Sequence, residues 1–170
     1  MAGRNIIVAV DFSPCSKNAL RWAANLAAPG DRLILILIHA KPSYQYEEGV
    51  AHLWERDGSP LIPLLELSDP RVSKIYGLAP DRETLEVLAR AAAQRGVQVF
   101  AKVLWGDPAK KLTEAVHKVP LQWLVVGNRG LSTVKRVLMG SVSTYVVNHA
   151  ACPVTVVREN MLPSAPTTSY

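Results

Sequence analysis

An α/β fold, with a parallel sheet wound in both directions, is predicted by three features of this chain. Short β-branched and aliphatic runs alternate with stretches of helical apolar spacing. The runs are apolar on successive residues, as strands buried on both faces require. The joints between them carry Ser-Pro, Asp-Pro and glycine signals that start and stop helices. With 170 residues, of which 49% are apolar, the chain is long enough for one domain with a sizeable core.

Residues 6–10 read as the first strand, ended by Asp11. Ser13-Pro14 then caps a helix that carries Ala19, Leu20, Ala23, Ala24 and Ala27 and stops at Pro29-Gly30. Residues 33–38 form the second strand, which runs into His39-Ala40. Asp81 caps the next helix, with Leu85, Leu88, Ala89 and Ala92 on one face and Gly96 at its end. The third strand is 97–103, Gly106 turns the chain, and Asp107-Pro108 opens a helix with Leu112, Ala115 and Val116. A fourth strand at 121–126, a glycine-marked loop, a helix from about 140 to 149 and a fifth strand at 153–157 complete the pattern. The expectation is a five-stranded, parallel, doubly wound sheet in a single domain over 1–158, with a tail over 159–170 that stays mobile.

One stretch, about 41–80, breaks the rhythm. It holds five of the twelve prolines and three of the five tyrosines without sustained periodicity. It reads as an insertion with one short helix near 50–56, packed over the sheet edge or a partner.

The formal net charge of +5 is not spread evenly. Residues 1–100 balance 11 basic against 11 acidic side chains, while 101–170 hold eight basic and three acidic ones. A local basic field suits an anionic partner. Nucleic acid is disfavoured, since the cations form no dense run and are not interleaved with aromatics. Two cysteines, Cys15 and Cys152, make neither a disulfide framework nor a zinc motif. The longest aliphatic run is six residues, against about 20 for a membrane span. No secretory core, myristoylated glycine or prenylated cysteine is read at the ends. A cytoplasmic protein is expected, with the nucleus also open to it.

In doubly wound sheets, ligands bind at the carboxyl ends of strands where the winding reverses. That focuses attention on 11–13, on 39–40 and on the loop from Gly127. The loop reads Gly127-Asn128-Arg129-Gly130, then nine residues, then Gly140-Ser141-Val142-Ser143. Glycines let backbone N–H groups approach a ligand, and a helix opened by Gly140 and Ser141 favours an anion at its start. Ser141 and Ser143 add hydroxyls, and Arg129 adds a fixed charge, so the segment suits phosphate. An ordinary turn with a Gly-Ser helix cap is the plainer alternative.

With its spacing intact, Gly127-x2-Gly130-x9-Gly140-Ser141 resembles the nucleotide-binding signature of the universal stress protein family. Ile7-Val8-Ala9-Val10-Asp11 with Ser13 is similar to the family's first strand, His39 to its usual residue after strand two, and Cys152-Pro153-Val154-Thr155-Val156-Val157 to its last strand. Ile62-Pro63-Leu64, Ser68-Asp69-Pro70 and Trp105-Gly106-Asp107-Pro108 look like the plant branch. The resemblance implies a Rossmann-like or flavodoxin-like domain, of the adenine nucleotide alpha hydrolase-like type. It also implies a homodimer that pairs through the last strand and binds ATP, ADP or AMP. Carried over by position, Ala9, Val10, Asp11 and Ser13 would line the adenine and ribose side, with Ala40 over the base. Val126, Gly127, Arg129 and Gly130 would meet ribose and the first phosphates, and Gly140, Ser141, Val142 and Ser143 the outer ones. Ala40 is smaller than the valine usual there. Any Mg²⁺ would sit on the phosphates, since no protein cage is visible.

Several readings remain open beside nucleotide binding. Asp11 can cap the first helix or accept hydrogen bonds from a ribose or base; the lack of an acid in 1–10 argues against a phospho-acceptor role. His39 reads as a structural histidine tied to a neighbouring backbone, and Cys15 as a small buried hydrophobe. No nucleophile elbow or Walker motif occurs. A binding module therefore leads, with a slow ATPase or nucleotide phosphohydrolase and a chaperone-like scaffold using 41–80 as alternatives. No catalytic or metal-ligating residue is assigned.

Overall fold

The computed structural model of the chain describes residues 3–39, 58–118, 122–128 and 136–158. β1 (Asn5–Ala9) leads into α1 (Pro14–Leu26) and β2 (Arg32–His39). After the described chain resumes, β3 (Ile62–Pro63) is followed by a 3₁₀ turn (Leu64–Glu66), α2 (Pro70–Tyr76) and α3 (Arg82–Arg95). β4 (Gln98–Trp105), α4 (Pro108–His117), β5 (Gln122–Asn128), α5 (Arg136–His149) and β6 (Val154–Arg158) complete the order.

The sheet runs β3-β4-β2-β1-β5-β6, and every pair except β3 with β4 is parallel. The expected five strands and their alternating helices are all present. The sixth strand is an addition from the insertion: Ile62 and Pro63 pair antiparallel with Ala101 and Phe100. Two residues carry no readable period, and Pro63 is tolerated because an edge strand needs no ladder on its outer side.

Alternation along the strands fills two cores. Ile6, Val8, Leu33, Leu35 and Leu37 meet α1 and α3 on one face, with Ala19, Leu20, Ala23 and Leu88. Ile7, Ile34, Ile36, Leu124 and Val126 meet α4 and α5 on the other, with Leu112, Val116 and Val146. Four helices start where a side chain satisfies free N–H groups: Ser13 for α1, Asp69 for α2, Asp81 for α3 and Asp107 for α4. Three of these starts carry proline in the first turn.

The described part of the insertion is stitched to the sheet. Ser59 N–H donates to Val103 O at 2.8 Å, and Val103 N–H returns a bond to Ser59 Oγ at 2.9 Å. The helix expected at 50–56 lies outside the described residues, as does the tail from 159. α2 was not foreseen, although Asp69-Pro70 before it and Gly77 after it are ordinary start and stop signals. Its seven residues are too few to display a period.

Helix ends on the first face are tied by charge. Arg95 donates to the C-cap carbonyl of α1, Ala27 O, from Nε at 3.1 Å and Nη2 at 2.7 Å. Lys17 and Arg21 of α1 pair with Asp81 and Glu83 at the start of α3. Asp31, just before β2, accepts from Arg4 N–H at 2.8 Å, from the Arg4 guanidinium at 2.8 Å and from Ala28 N–H at 2.8 Å.

Burial alone would raise the Asp31 carboxyl, but the bonds from Arg4 and Ala28 outweigh it and hold the pKa below the ordinary value. A lowered pKa contributes stability that is complete above about pH 4 and is lost as pH falls through the folded value. Asp31→Asn should therefore destabilise the protein by about 1–3 kcal/mol at neutral pH. It should also flatten the acid limb of a denaturation series below about pH 4; an unchanged limb would remove Asp31 from the acid response.

Candidate functional site

The winding direction reverses between β1, whose chain continues toward β2, and β5, whose chain continues toward β6. At the carboxyl ends of these two strands lies a cleft of about 240 Å³. Ala9, Val10, Asp11, Ser13, Val126, Gly127, Val142 and Ser143 line it, so eight of the thirteen residues singled out in the sequence converge there. Ala40, Arg129 and Gly130 lie outside the described residues. Gly140 and Ser141 fall in α5, and their part in the cleft is not among the described contacts.

The first wall is the turn from β1 to α1. Val10, buried and donating its N–H to Ile36 O at 2.9 Å, still belongs to the buried strand, but Asp11 directly after it is exposed. Its Oδ1 accepts Ser13 N–H at 2.9 Å, and its own N–H donates to Ser16 Oγ at 3.2 Å. Ser13, not Asp11, is the helix cap: Ser13 Oγ accepts Ser16 N–H at 3.3 Å. Phe12, between the two wall residues, sits at φ 60°, the one non-glycine with positive φ among the described residues. That conformation costs a side-chain-bearing residue about 1–2 kcal/mol.

The floor is set by a close approach. A Cβ on Gly127 would lie 2.8 Å from Cys15 O and 2.9 Å from Cys15 Sγ. β5 can meet the start of α1 only because position 127 has no side chain. Cys15 is buried, as its reading as a small hydrophobe requires.

The remaining wall comes from residues the sequence did not single out. Ile36 and Ile38 project from β2, while Pro108 and Leu112 come from the first turns of α4. Their apolar character was readable, but their meeting depends on the crossing of β2 and α4 near the switch point. His39 behaves as expected: its Nε2 lies 2.9 Å from Tyr76 O, so Nε2–H is the donor to that carbonyl. Gly77, at φ 62°, leaves room for this ring, since a Cβ there would stand 2.9 Å from Nε2.

The start of α5 departs from expectation. The helix begins at Arg136, a turn before Gly140, so Gly140 and Ser141 do not open it. Val137, Leu138 and Met139 are compatible with helix, and the cost of one interior glycine, about 1 kcal/mol, does not delay the start. Free N–H groups belong to the first turn of a helix.

Chemically, the cleft joins apolar walls to a few hydrogen-bonding groups. Asp11 is the one charged residue among its described lining, and Ser13, Ser16 and Ser143 supply hydroxyls. No group of three or more His, Cys, Asp or Glu side chains able to hold a metal occurs among the described residues. No described helix is long and apolar enough to cross a membrane.

A model of the universal stress protein family matches residues 3–158. A universal stress protein of Bacillus subtilis is 30% identical over 154 residues, covering 90% of this chain and 97% of its own. One from Mycobacterium tuberculosis is 30% identical over 168 residues, covering 95% of this chain; the chain spans about half the length of that relative. Among solved structures, a universal stress protein in complex with cAMP aligns with a TM-score of 0.58 at 24% identity, covering 94% of this chain and 99% of its own. A universal stress protein family member from Arabidopsis thaliana with AMP bound aligns at 0.53 and 24% identity, covering 92% of each chain.

Gly127→Ala should destabilise the fold by about 1–3 kcal/mol, because helix backbone must move to admit the methyl. Cys15→Ala in the same chain should restore only part of the loss, since the carbonyl contact remains. Thermal unfolding of both variants measures this, and full rescue would show that the thiol alone sets the limit.

Proposed function

This chain belongs to the universal stress protein family, and from that premise we propose that its cleft binds an adenine nucleotide. The observation that carries the reading is the convergence of Ala9, Asp11, Ser13, Gly127 and Ser143 on one open cleft at the sheet's switch point. Ile36, Ile38, Leu112 and Val126 offer apolar faces suited to a planar base. Asp11 suits ribose hydroxyls, which donate, and would repel phosphates, which must therefore lead away from it toward β5 and α5. Relatives solved with cAMP and with AMP agree with a nucleotide of this kind.

In this reading Ala40 covers the base, while Arg129 and Gly130 meet the first phosphates, with Mg²⁺ carried on the phosphates when a triphosphate is bound. Val142 and Ser143 already face the cleft. Backbone N–H contacts from Gly140 and Ser141 to outer phosphates require the first turn of α5 to open. The described lining holds one carboxylate, Asp11, and it already accepts the Ser13 N–H. In this reading the protein acts as a nucleotide-responsive stress-response module of plant type.

We assign dimerisation to β6, which ends the described sheet with Val154, Thr155 and Val156 half-buried. A second role, protein binding by the insertion, is favoured by Leu61, Leu65 and Ile75, exposed to 44%, 90% and 44%.

Calorimetric titration of nucleotide-stripped protein with AMP, cAMP and Mg-ATP should give saturation with a Kd near or below about 10 μM for at least one of them, about −7 kcal/mol. Ala9→Leu, which fills the cleft, and Gly130→Val should each weaken it by about tenfold or more, about 1.4 kcal/mol. No saturation by a folded protein would sink the reading. Sedimentation velocity should return a dimer. Leu65→Ser should leave dimer and nucleotide affinity intact while reducing protection of an aggregating client such as heated citrate synthase; equal protection would end the client role.

A further inference from the structure

Phe12 lies between two residues of the cleft wall, yet it is not part of the lining. Its ring packs, half-buried, against the core shared by β1, β2, α1 and α3, on the side away from the cleft. Its φ of 60° lies in a region that side chains rarely adopt. Such a conformation persists only where surrounding contacts hold it. Around Phe12 they do: Val10 N–H donates to Ile36 O at 2.9 Å, Asp11 N–H to Ser16 Oγ at 3.2 Å and Ser13 N–H to Asp11 Oδ1 at 2.9 Å.

We infer that Phe12 is a positioning residue for the cleft, its ring acting as the anchor that holds the β1–α1 turn in its bent form. The bend turns the chain from the strand into α1 within four residues and presents Asp11 and Ser13 to the same opening. Without the ring, the bent form keeps its steric cost and loses the apolar contact that offsets it. The turn then relaxes, and the carboxylate and the helix cap no longer hold their places. Ligand affinity is lost without any contact between Phe12 and ligand.

This inference rests on the nucleotide reading for its binding readout, so the test includes a second readout that does not. Phe12→Ala, Phe12→Gly and Phe12→Leu are compared with wild type and with Val99→Ala. The last removes core volume on the same face from β4, outside the cleft lining. AMP affinity is measured below the unfolding range of every variant, and amide hydrogen exchange is followed at Ser13 and Ser16 without ligand. Phe12→Ala should bind AMP about tenfold more weakly or worse, with Ser13 and Ser16 exchanging at least about tenfold faster, while Phe12→Gly, which loses the ring but also the steric cost of the positive φ, should lose less of both. Phe12→Leu should keep most of both properties, and Val99→Ala should lose stability while keeping both.

Wild-type-like affinity and protection in Phe12→Ala would overturn the proposal. So would an equal loss in Val99→Ala, which would make Phe12 a stability residue only. If wild type binds none of AMP, cAMP and Mg-ATP, the nucleotide reading falls by itself. Exchange at Ser13 and Ser16 still decides whether the ring holds the turn.

Discussion

The approach of β5 to the start of α1 governs the arrangement of this molecule. Gly127 stands where any side chain would collide with the carbonyl and thiol of Cys15. Because nothing projects there, α1 settles across β1 and β5, and its capped start lies beside the carboxyl ends of both strands. The cleft is the space left above that contact. Its wall on one side is the cap itself, in which Asp11, Ser13 and Ser16 satisfy one another's hydrogen bonds. A group that must hold a helix start is thus also available to a ligand, and the site is built from structural necessities.

The same economy appears at the other end of the sheet. The insertion does not merely decorate the edge strand: Ser59 closes a two-way hydrogen-bond pair with Val103, and His39 reaches from the end of β2 to the last carbonyl of α2. Tyr76 O is such a carbonyl, at the helix end where free acceptors collect. β3, with Pro63, ends the ladder with little to offer a further strand. β6 ends the opposite edge of the described sheet, where Val154 and Val156 pack against the second core.

How much was legible depended on the range of the forces involved. Start signals such as Ser13-Pro14, Asp81 and Asp107-Pro108 act within one turn, and each helix began where they stood. Asp69-Pro70 was equally local, but α2 is too short for its spacing to be noticed. The start of α5 went the other way: the glycine at 140 drew attention as a boundary, while the helix-compatible Val137-Leu138-Met139 before it carried the helix. On the cleft, Asp11, Ser13 and Gly127 could be identified because they sit in turns whose chemistry is readable. Ile36, Ile38, Pro108 and Leu112 look like any other apolar or turn residue, and only their meeting makes a wall.

By itself, then, the sequence determined the alternation of strands and helices, the parallel winding, and the place at which the winding reverses. These follow from periodicity, caps and chain connectivity, which are properties of neighbours along the chain. The tertiary structure decided that Gly127 must be bare, that Phe12 must bend, that Asp11 is exposed, and which side chains from β2 and α4 close the cleft. Those outcomes depend on distances between segments far apart in sequence, set by close packing of the two cores, and no local pattern encodes them.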